Sequence, residues 1–320
     1  MEIVLATDTG LCIAQGNGEE WTANWYDPGV NLECVAAGAV KAFAGTADGR
    51  VLMATTGTTW EVAGSMADRV TALAISPHDP EVVWAGTEPS RLYQSRNGGR
   101  TWRERPGLAD LPSADRWSFP PRPDTHHVRW ILEDPAVSGH LSLAIEAGAL
   151  IRSTDGGETF LDHPDGARRD NHTVASHEDE PERRYVAAGD GYAESPDRGD
   201  TWRYPQEGLE HRYVWGLAIA PDDPEEVFVS AASGAFAAHD TEGTSYVYRR
   251  RDGRWERAMD GLPGPDGLGR AVLATGNDSV LAATNHGVFR RDEGIWTRLG
   301  LAWPDRCRQE LPRGLAVLQA

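Results

Sequence analysis

The sequence has little lysine, few cysteines and no long apolar run. Lysine occurs once, at Lys41, so nearly all of the basic charge comes from arginine, and the formal net charge is −18 at pH 7. Because binding to a phosphate backbone or an anionic lipid needs a basic face, this balance argues against nucleic acid and membrane as partners. No stretch reaches the ~20 apolar residues that span a bilayer.

The cysteines are too few and too scattered to form a disulfide framework. Cys12, Cys34 and Cys307 are odd in number, and they fit buried, reduced thiols better than a disulfide frame or a cysteine-based metal site. Residues 1–6 read MEIVLA and lack the basic start of a signal peptide. These features predict a cytoplasmic protein.

A short stretch occurs three times along the chain. It reads STDGGETF at 153–160, SPDRGDTW at 195–202 and SRNGGRTW at 95–102. The Asp or Asn side chain can accept backbone N–H groups within a turn, and the glycines supply the positive φ that such a turn requires. Each copy therefore predicts a strand, a tight turn and a second strand that opens at the Thr–aromatic pair.

The whole chain repeats every ~40–48 residues, which is the spacing of propeller blades. The clearest unit, 70–105, contains four short strand patterns, which we call A to D in chain order. Comparable units lie at 33–62, 128–161, 172–204, 213–256 (with an insertion at 235–244) and 270–298. Each unit carries an aromatic residue where strand D opens, and these residues are predicted to pack between blades together with Trp21: Trp60, Trp102, Phe160, Trp202, Trp255 and Trp296.

The two ends of the chain complement each other. Residues 2–22 supply strands B, C and D without a strand A before them, and residues 313–319 form a lone strand A. Pairing the two would close the ring and remove exposed sheet edges. The sequence thus predicts one all-β domain over residues 1–320. We expect a seven-bladed β-propeller that is closed by pairing the C-terminal strand with the N-terminal strands.

The recurring stretch resembles the Asp-box, or BNR, repeat of sialidases and other propellers. The resemblance covers the whole chain through the rhythm of the blades, and it implies the propeller fold. It implies no single activity, since sialidases, photosystem II assembly factors and sortilin-type receptors share the repeat. A sialidase would use an Arg triad, a Tyr–Glu pair and an Asp acid/base, often near a Phe-Arg-Ile-Pro opening. The most similar stretch of this sequence, FPPRP at 119–123, lacks that order.

Strand polarity predicts where a functional site lies. In an antiparallel blade, the starts of A strands and the ends of B strands lie at one face, and the recurring turns lie at the other. Three consecutive blades begin strand A with histidine, and two of them end strand B with a carboxylate. We expect the site in this sector, at the face opposite the recurring turns. The candidates are His126, His127, Arg129, Glu146, His172, Asp190, His211, Arg212 and Arg270.

The first chemistry that suits this sector is general acid–base catalysis by a hydrolase or lyase on an anionic or polar metabolite. An imidazole has an unperturbed pKa near ~6.5, and a neighbouring carboxylate can orient it. Guanidinium groups pair with carboxylate or phosphate in a fork. The predicted catalytic residues are His127, Glu146, His172 and Asp190, and the predicted substrate-binding residues are Arg129, His211, Arg212 and Arg270.

A divalent metal ion is the second use of the same sector. Imidazole and carboxylate ligands suit Zn, Ni, Mn or Fe, and no linear motif is expected because the ligands come from separate blades. Adjacent strand residues face opposite ways, so the sequence leaves open which of His126 and His127 faces the channel. The candidate ligands are His126, His127, Glu146, His172 and His211.

The aromatic residues and the carboxylates of this sector allow further uses. Trp130 and Trp215 lie in A strands at positions that we predict to be equivalent, and they either pack between sheets or stack on a substrate ring. A glycoside hydrolase could use Glu146 and Asp190 as its carboxylate pair. A non-catalytic propeller could dock a protein partner instead. Four histidines outside the sector are expected at the surface: His78, His140, His163 and His177.

Overall fold

The computed structural model describes residues 1–18, 20–55 and 59–318. In these ranges the chain forms seven antiparallel sheets, which we number as blades in chain order, each given from the innermost strand outward. Blade 1 contains β26 (Gly314–Leu318), β1 (Glu2–Ala6), β2 (Leu11–Asn17) and β3 (Glu20–Tyr26). Blade 2 contains β4 (Leu32–Ala37), β5 (Lys41–Thr46), β6 (Arg50–Thr55) and β7 (Glu61–Ser65). Blade 3 contains β8 (Arg69–Ile75), β9 (Val83–Glu88), β10 (Leu92–Ser95) and β11 (Arg103–Arg105).

The remaining four blades complete the ring. Blade 4 contains β12 (Val128–Glu133), β13 (Leu141–Ile145) and β14 (Ala149–Ser153), and blade 5 contains β15 (Asn171–His177), β16 (Glu180–Ala188) and β17 (Gly191–Ser195). Blade 6 contains β18 (Tyr213–Ala220), β19 (Asp223–Ala232), β20 (Ser245–Arg251) and β21 (Arg254–Arg257). Blade 7 contains β22 (Val272–Thr275), β23 (Val280–Thr284), β24 (Gly287–Asp292) and β25 (Ile295–Arg298).

Helical structure in the described ranges is confined to short segments between strands. One helical turn, α1 (Ala235–Ala238), lies in the predicted insertion of blade 6. Three 3₁₀ turns lie at Leu108–Asp110, Ala114–Arg116 and Asp305–Arg308. Over the described part of the chain, no helix has the length and apolar character needed to cross a membrane.

The ring closes as the sequence predicts. Strand β26 pairs antiparallel with β1, so that Leu318 lies opposite Glu2 and Gly314 lies opposite Ala6. Each innermost strand contacts the next around the ring, including β22 with β26 and β26 with β4. The seven-bladed propeller is therefore confirmed. The predicted final residue of the closing strand, Gln319, and the turn at 56–58 lie outside the described residues.

The core consists of seven apolar clusters, and each cluster lies between two neighbouring blades. Every predicted D-strand aromatic joins or packs against a different cluster, which confirms its role between blades. Trp255 and Trp296 are almost fully buried, each 2 % exposed. One aromatic therefore belongs to each blade-to-blade contact of the ring: Trp21, Trp60, Trp102, Phe160, Trp202, Trp255 and Trp296.

Blades 4 and 5 differ from the predicted four-strand pattern. Their fourth strand is reduced to one bridge in each blade, Arg152 with Leu161 and Glu194 with Arg203. Pro164 and Pro205 follow these bridges closely, and proline has no N–H to donate to a sheet ladder. The chain therefore leaves the sheet after one pair of residues.

The recurring turns have the predicted hydrogen bonds. In blade 4, Oδ1 of Asp155 accepts the backbone N–H groups of Glu158 and Thr159 at 3.1 and 2.9 Å, and Oδ2 accepts the Thr159 hydroxyl at 2.6 Å. Gly156 and Gly157 adopt positive φ angles of 71° and 75°. These bonds, the Thr159 hydroxyl first, lower the pKa of Asp155 to about 2.

We expect Asp155→Ala to destabilise the protein by about 1 kcal/mol, because four donors lose this carboxylate as their acceptor: the Ser153 hydroxyl, the N–H groups of Glu158 and Thr159, and the Thr159 hydroxyl. Asp155→Asn should be nearly neutral. Asn97 occupies the same place in blade 3, where its Oδ1 accepts the Thr101 N–H at 2.9 Å and its Nδ2 donates to the Thr101 hydroxyl at 2.9 Å. Urea unfolding of the two variants measures the difference. Equal losses in both variants would contradict this account of the turn.

Cys12, Cys34 and Cys307 are free and buried, as predicted. Burial raises the pKa of Cys12 and Cys34 to about 12.

The prediction that His177 lies at the surface is wrong. His177 is buried in β15, and its Nε2 lies 3.2 Å from the carbonyl oxygens of both Ala220 and Pro221 in blade 6.

Candidate functional site

A β-bulge near the start of the innermost strand aims one side chain in each of several blades. In β12 the pairing skips Arg129, and in β15 it skips His172. In β18 the pairing with β19 skips Trp215 and Gly216. Because a bulge redirects a side chain, these residues point differently from a regular strand residue. Arg129, His172 and Trp215 thus occupy equivalent positions in blades 4, 5 and 6.

Glu146, which follows β13, forms the buried end of the site. Its Oε2 lies 3.0 Å from Nε2 of His127 and 3.7 Å from Nε of Arg129. Burial alone would raise the pKa of Glu146. The hydrogen bond from His127 and the charges of His127 and Arg129 outweigh burial and hold that pKa well below its usual range. Glu146 is therefore an anion, and Nε2 of His127 donates to it.

His127 is held between two carboxylates. Its Nδ1 lies 3.9 Å from Oε2 of Glu88, and Arg122 binds Glu88 through two hydrogen bonds of 2.6 and 2.5 Å. The ring of Phe119 packs edge-on against His127 at 4.7 Å between centroids. The segment that precedes β12 therefore fixes His127, and through it Glu146.

His172 presents an unpaired nitrogen to the site. Its Nδ1 lies 2.7 Å from the carbonyl oxygen of Val214, and a carbonyl only accepts, so Nδ1 carries a proton. Nε2 is buried and has no hydrogen-bond partner among the residues described. It lies 3.5 Å from Oδ1 of Asp170, which is within ion-pair distance but without hydrogen-bond geometry. Glu146, Asp170 and His172 each offer one ligand atom, and these three atoms lie within 4.8 Å of one another.

Asp170 is placed by the backbone around it. Its Oδ1 accepts the N–H of Ala147 at 2.9 Å, and its carbonyl oxygen accepts the N–H of Gly189 at 2.8 Å. A Cβ atom at Gly189 would lie 1.9 Å from Oδ2 of Asp170, so only glycine permits this approach. Asp170 thus reaches the site between the B–C turns of blades 4 and 5.

A second group of side chains, Tyr213, His239 and Arg270, packs around Trp215 beside this acidic end. Nε of Arg270 donates to Nδ1 of His239 at 3.2 Å, so Nδ1 carries no proton in this arrangement. Nε2 of His239 then donates to the hydroxyl of Tyr213 at 3.0 Å, which leaves the hydroxyl proton of Tyr213 available to a ligand. Burial and then the charge of Arg270 lower the pKa of His239. Burial raises the pKa of Tyr213 well above its usual value, so Tyr213 is a neutral donor.

Trp215 supports the charged side chains. The guanidinium carbons of Arg129 and Arg270 lie 4.7 and 4.2 Å from the centroid of its ring. His172 packs on the same ring at 4.3 Å between centroids, and His239 meets it edge-on at 4.5 Å. Trp215 is only 5 % exposed. Its ring therefore holds protein side chains in place and leaves little surface for a substrate.

The two arginines are short of negative partners. Arg129 has Glu146 at 3.7 Å, whereas Arg270 makes no ion pair with a carboxylate among the described residues and donates instead to His239 and to the carbonyl oxygen of Pro312. Burial, followed by the charges of Arg313 and Arg129, lowers the pKa of Arg270 to about 9. Both groups are cations at neutral pH, and Arg270 lacks a carboxylate among the described residues that would neutralise it.

The structure brings together only part of the predicted sector. His127, Arg129, Glu146, His172, Arg270 and Trp215 meet in one cluster, which we call the channel cluster together with Asp170, Tyr213 and His239. His127, rather than His126, contacts Glu146. His126 lies edge-on against Trp117 at 5.4 Å.

The other predicted residues lie apart from the channel cluster. His211 stacks on Tyr246 at 4.4 Å and its Nδ1 lies 2.6 Å from the hydroxyl of Tyr248, and Arg212 is exposed. Asp190 is exposed and pairs with Arg168 at 3.6 Å, so it does not meet Glu146. Trp130 packs against the apolar cluster between blades 4 and 5. The predicted equivalence of Trp130 and Trp215 is wrong, because the bulges align Trp215 with Arg129.

Charges elsewhere at this face largely neutralise one another. Glu33 pairs with Arg69, and Asp8 pairs with Arg313. A cleft with a volume of about 450 Å³ lies at the opposite face, between blades 4 and 5. It is lined by ion-paired side chains such as Arg152 and Asp200. The buried nitrogen of His172, which has no partner in the described structure, and Arg270, which has no described carboxylate partner, favour the channel cluster as the functional site.

Comparisons with known proteins show the fold only. The sequence matches no protein-family model and no curated protein. Among solved structures, the GH74 enzyme of Niastella koreensis is similar over 90 % of this chain and 52 % of its own, with a TM-score of 0.64 and 16 % identity. YCF48 bound to D1 peptide is similar over 84 % of this chain and 82 % of its own, with a TM-score of 0.58 and 15 % identity. The chain spans about half the length of that GH74 enzyme.

Sequence reasoning missed three residues of the channel cluster. Asp170 and Tyr213 stand at the starts of A strands, next to histidine and arginine residues that were the stronger signals there. His239 lies in the predicted insertion after strand B of blade 6. Since B–C turns lie at the site face, the position of this insertion was a usable signal for His239.

Proposed function

We propose that the channel cluster binds a small anionic metabolite and promotes a hydrolytic or lyase reaction on it. The observation that carries this proposal is the buried guanidinium of Arg270, which has no carboxylate partner among the described residues and lies beside a second cation, Arg129, whose side chain is 11 % exposed. An unpaired buried charge is costly, and a bound carboxylate or phosphate would neutralise it. The hydroxyl of Tyr213 can donate to the same anion.

The rest of the cluster supplies proton acceptors. The carboxylates of Glu146 and Asp170 and Nε2 of His172 lie beside Tyr213, whose ring is 5.1 Å from that of His172 between centroids. A neutral donor beside a set of acceptors suits hydrolysis or elimination, in which a proton is taken while negative charge develops on the substrate. In this scheme Tyr213 donates a hydrogen bond to the developing charge, and its substitution by Phe should lower turnover more than anion affinity.

One feature disfavours the glycoside hydrolase alternative. Asp190 pairs with Arg168 and lies apart from Glu146, so the two carboxylates do not face each other as a catalytic pair. The similarity to the GH74 enzyme, at 16 % identity, supports a shared fold and does not support a shared activity.

A protein-docking function is the second candidate, and one observation favours it. Phe236 on α1 is 97 % exposed at the face that carries the channel cluster, whereas the other exposed large apolar side chains of the described residues reach at most 57 %. One of the similar propellers, YCF48, has been solved with a bound D1 peptide. A propeller that docks a peptide here would not need a buried cation without a carboxylate partner, so anion binding decides between the two functions.

The test is anion binding by the full chain. Phosphate, malonate and succinate should raise the unfolding midpoint of the wild type, which measures binding to the folded state. Arg270→Gln should weaken binding about 10- to 100-fold, because a charge-assisted hydrogen bond contributes about 1.5–3 kcal/mol. Arg129→Gln should act in the same direction, and isothermal titration calorimetry gives the affinities.

Arg212→Gln is the matched control, since Arg212 is an exposed arginine at the same face. It should bind the anions as the wild type does. If Arg212→Gln weakens binding as much as Arg270→Gln does, the anion lies outside the channel cluster. If no anion shifts the wild-type midpoint, the proposal is wrong and the docking function is preferred.

A further inference from the structure

We infer that Glu146, Asp170 and His172 bind a first-row divalent metal ion, Mn²⁺ or Zn²⁺. Three ligand atoms of the types that these ions prefer lie within 4.8 Å of one another, and they come from two segments, the turn after β13 and the start of β15. This ligand set differs from the one predicted from the sequence, because Asp170 replaces His126, His127 and His211.

The buried nitrogen of His172 is an independent pointer to a ligand. His172 is 0 % exposed, and its Nε2 is buried without a hydrogen-bond partner in the described structure. Buried polar atoms are seldom left unpaired, so such an atom calls for an explanation. Because Nδ1 donates to Val214, the neutral ring carries a lone pair on Nε2, and that lone pair faces Asp170.

The surroundings of the three ligands match a metal site. A ligating histidine usually donates its other N–H to a backbone carbonyl or carboxylate, as His172 does to Val214. His127 donates to Oε2 of Glu146, and the backbone N–H of Ala147 donates to Oδ1 of Asp170, so both carboxylates are oriented from outside the site.

The inference that a metal ion binds rests on these ligands alone. Any role of the bound ion in a reaction rests on the proposed function. A bound ion would attract the same anion as Arg129 and Arg270 and would make a coordinated water more acidic. The carboxylates and His172 would then hold the ion, while Tyr213 and the two arginines would hold the substrate.

Calorimetric titration with MnCl₂ and with ZnCl₂, after removal of metal by a chelator, tests the inference on the full chain. We expect one ion per chain in the wild type. Asp170→Asn and His172→Gln should each weaken binding at least 10- to 100-fold, the loss that even an indirect disturbance of a metal site causes. Asp190→Asn and His126→Gln are the matched controls, and they should bind as the wild type does.

Thermal unfolding of each variant without metal shows whether a loss of binding comes from a loss of fold. Absence of stoichiometric binding by the wild type, or binding that survives in both Asp170→Asn and His172→Gln, would overturn the metal site. Anion binding by chelated protein without any metal binding would defeat this inference alone. Metal binding without anion binding would defeat the proposed function alone.

Discussion

A chain that ends at Arg313 is expected to lose cooperative folding. Removal of β26 takes away the innermost strand of blade 1 and leaves β1 with an unpaired edge. Leu315, Val317 and Leu318 are 7, 7 and 5 % exposed in the closed ring. Burying each such side chain contributes about 1.5–3 kcal/mol. Their sum is comparable with the whole net stability of a typical protein, about 5–15 kcal/mol.

The truncated chain should also associate, because open sheet edges pair with other chains. Circular dichroism melting and size-exclusion chromatography measure the two effects. A chain that ends at Leu318 keeps β26 and is the control, which should melt as the full chain does. A peptide of residues 313–320 added in trans should restore a cooperative transition. A truncated chain that stays monomeric and melts at the full-chain temperature would show that closure does not hold the ring.

The fold could be predicted because its signals are local and repeated. Every blade repeats the same strand pattern, so the blade that contains Trp60 can be recognised from the other blades even though its turn sequence is degenerate. The complementary ends of the chain then leave only one way to close the ring. The D-strand aromatics follow from the same periodicity, and all seven lie between blades.

The site could be predicted only in part, because bulges change the direction of side chains. Regular alternation places Trp130 and Trp215 in equivalent positions, whereas the skipped residue in each strand aligns Trp215 with Arg129. The exposure of each carboxylate is a second property that the sequence does not show. Asp190 and Asp170 both flank the same Gly turn of blade 5 in space, and only the backbone path around Gly189 brings Asp170 to Glu146.

Asp134 is expected to be one of the most sensitive residues for stability. It follows β12, its carboxylate is 0 % exposed, and it lies at the face of the recurring turns, far from the channel cluster in the fold. Arg184 and Arg198 of blade 5 both donate to Oδ2, the latter at 2.8 Å. The backbone N–H groups of Ala136 and Val137 donate to Oδ1 at 2.9 and 3.0 Å.

Asp134→Asn should lower the free energy of unfolding by about 3–5 kcal/mol, since Arg184 is left as a buried cation without its partner. Asp200→Asn is the matched control. Asp200 pairs with Arg152 across the same two blades at 2.6 Å, but its side chain is 71 % exposed. An exposed ion pair contributes about 0–1 kcal/mol. Comparable losses from the two substitutions in urea unfolding would show that burial does not set the effect.

The dependence on pH distinguishes loss of charge from loss of shape. Burial alone would raise the pKa of Asp134, but the hydrogen bonds from Arg184, Arg198 and Ala136 outweigh it and hold that pKa below its usual range. Because the folded-state pKa is depressed, the stabilisation by the charged carboxylate is complete above the unfolded pKa of about 3.9 and is lost as pH falls through the folded value. The stability gap between wild type and Asp134→Asn should therefore be constant near neutral pH and narrow in acid. A gap that stays constant in acid would assign the loss to packing of the amide instead of the missing charge.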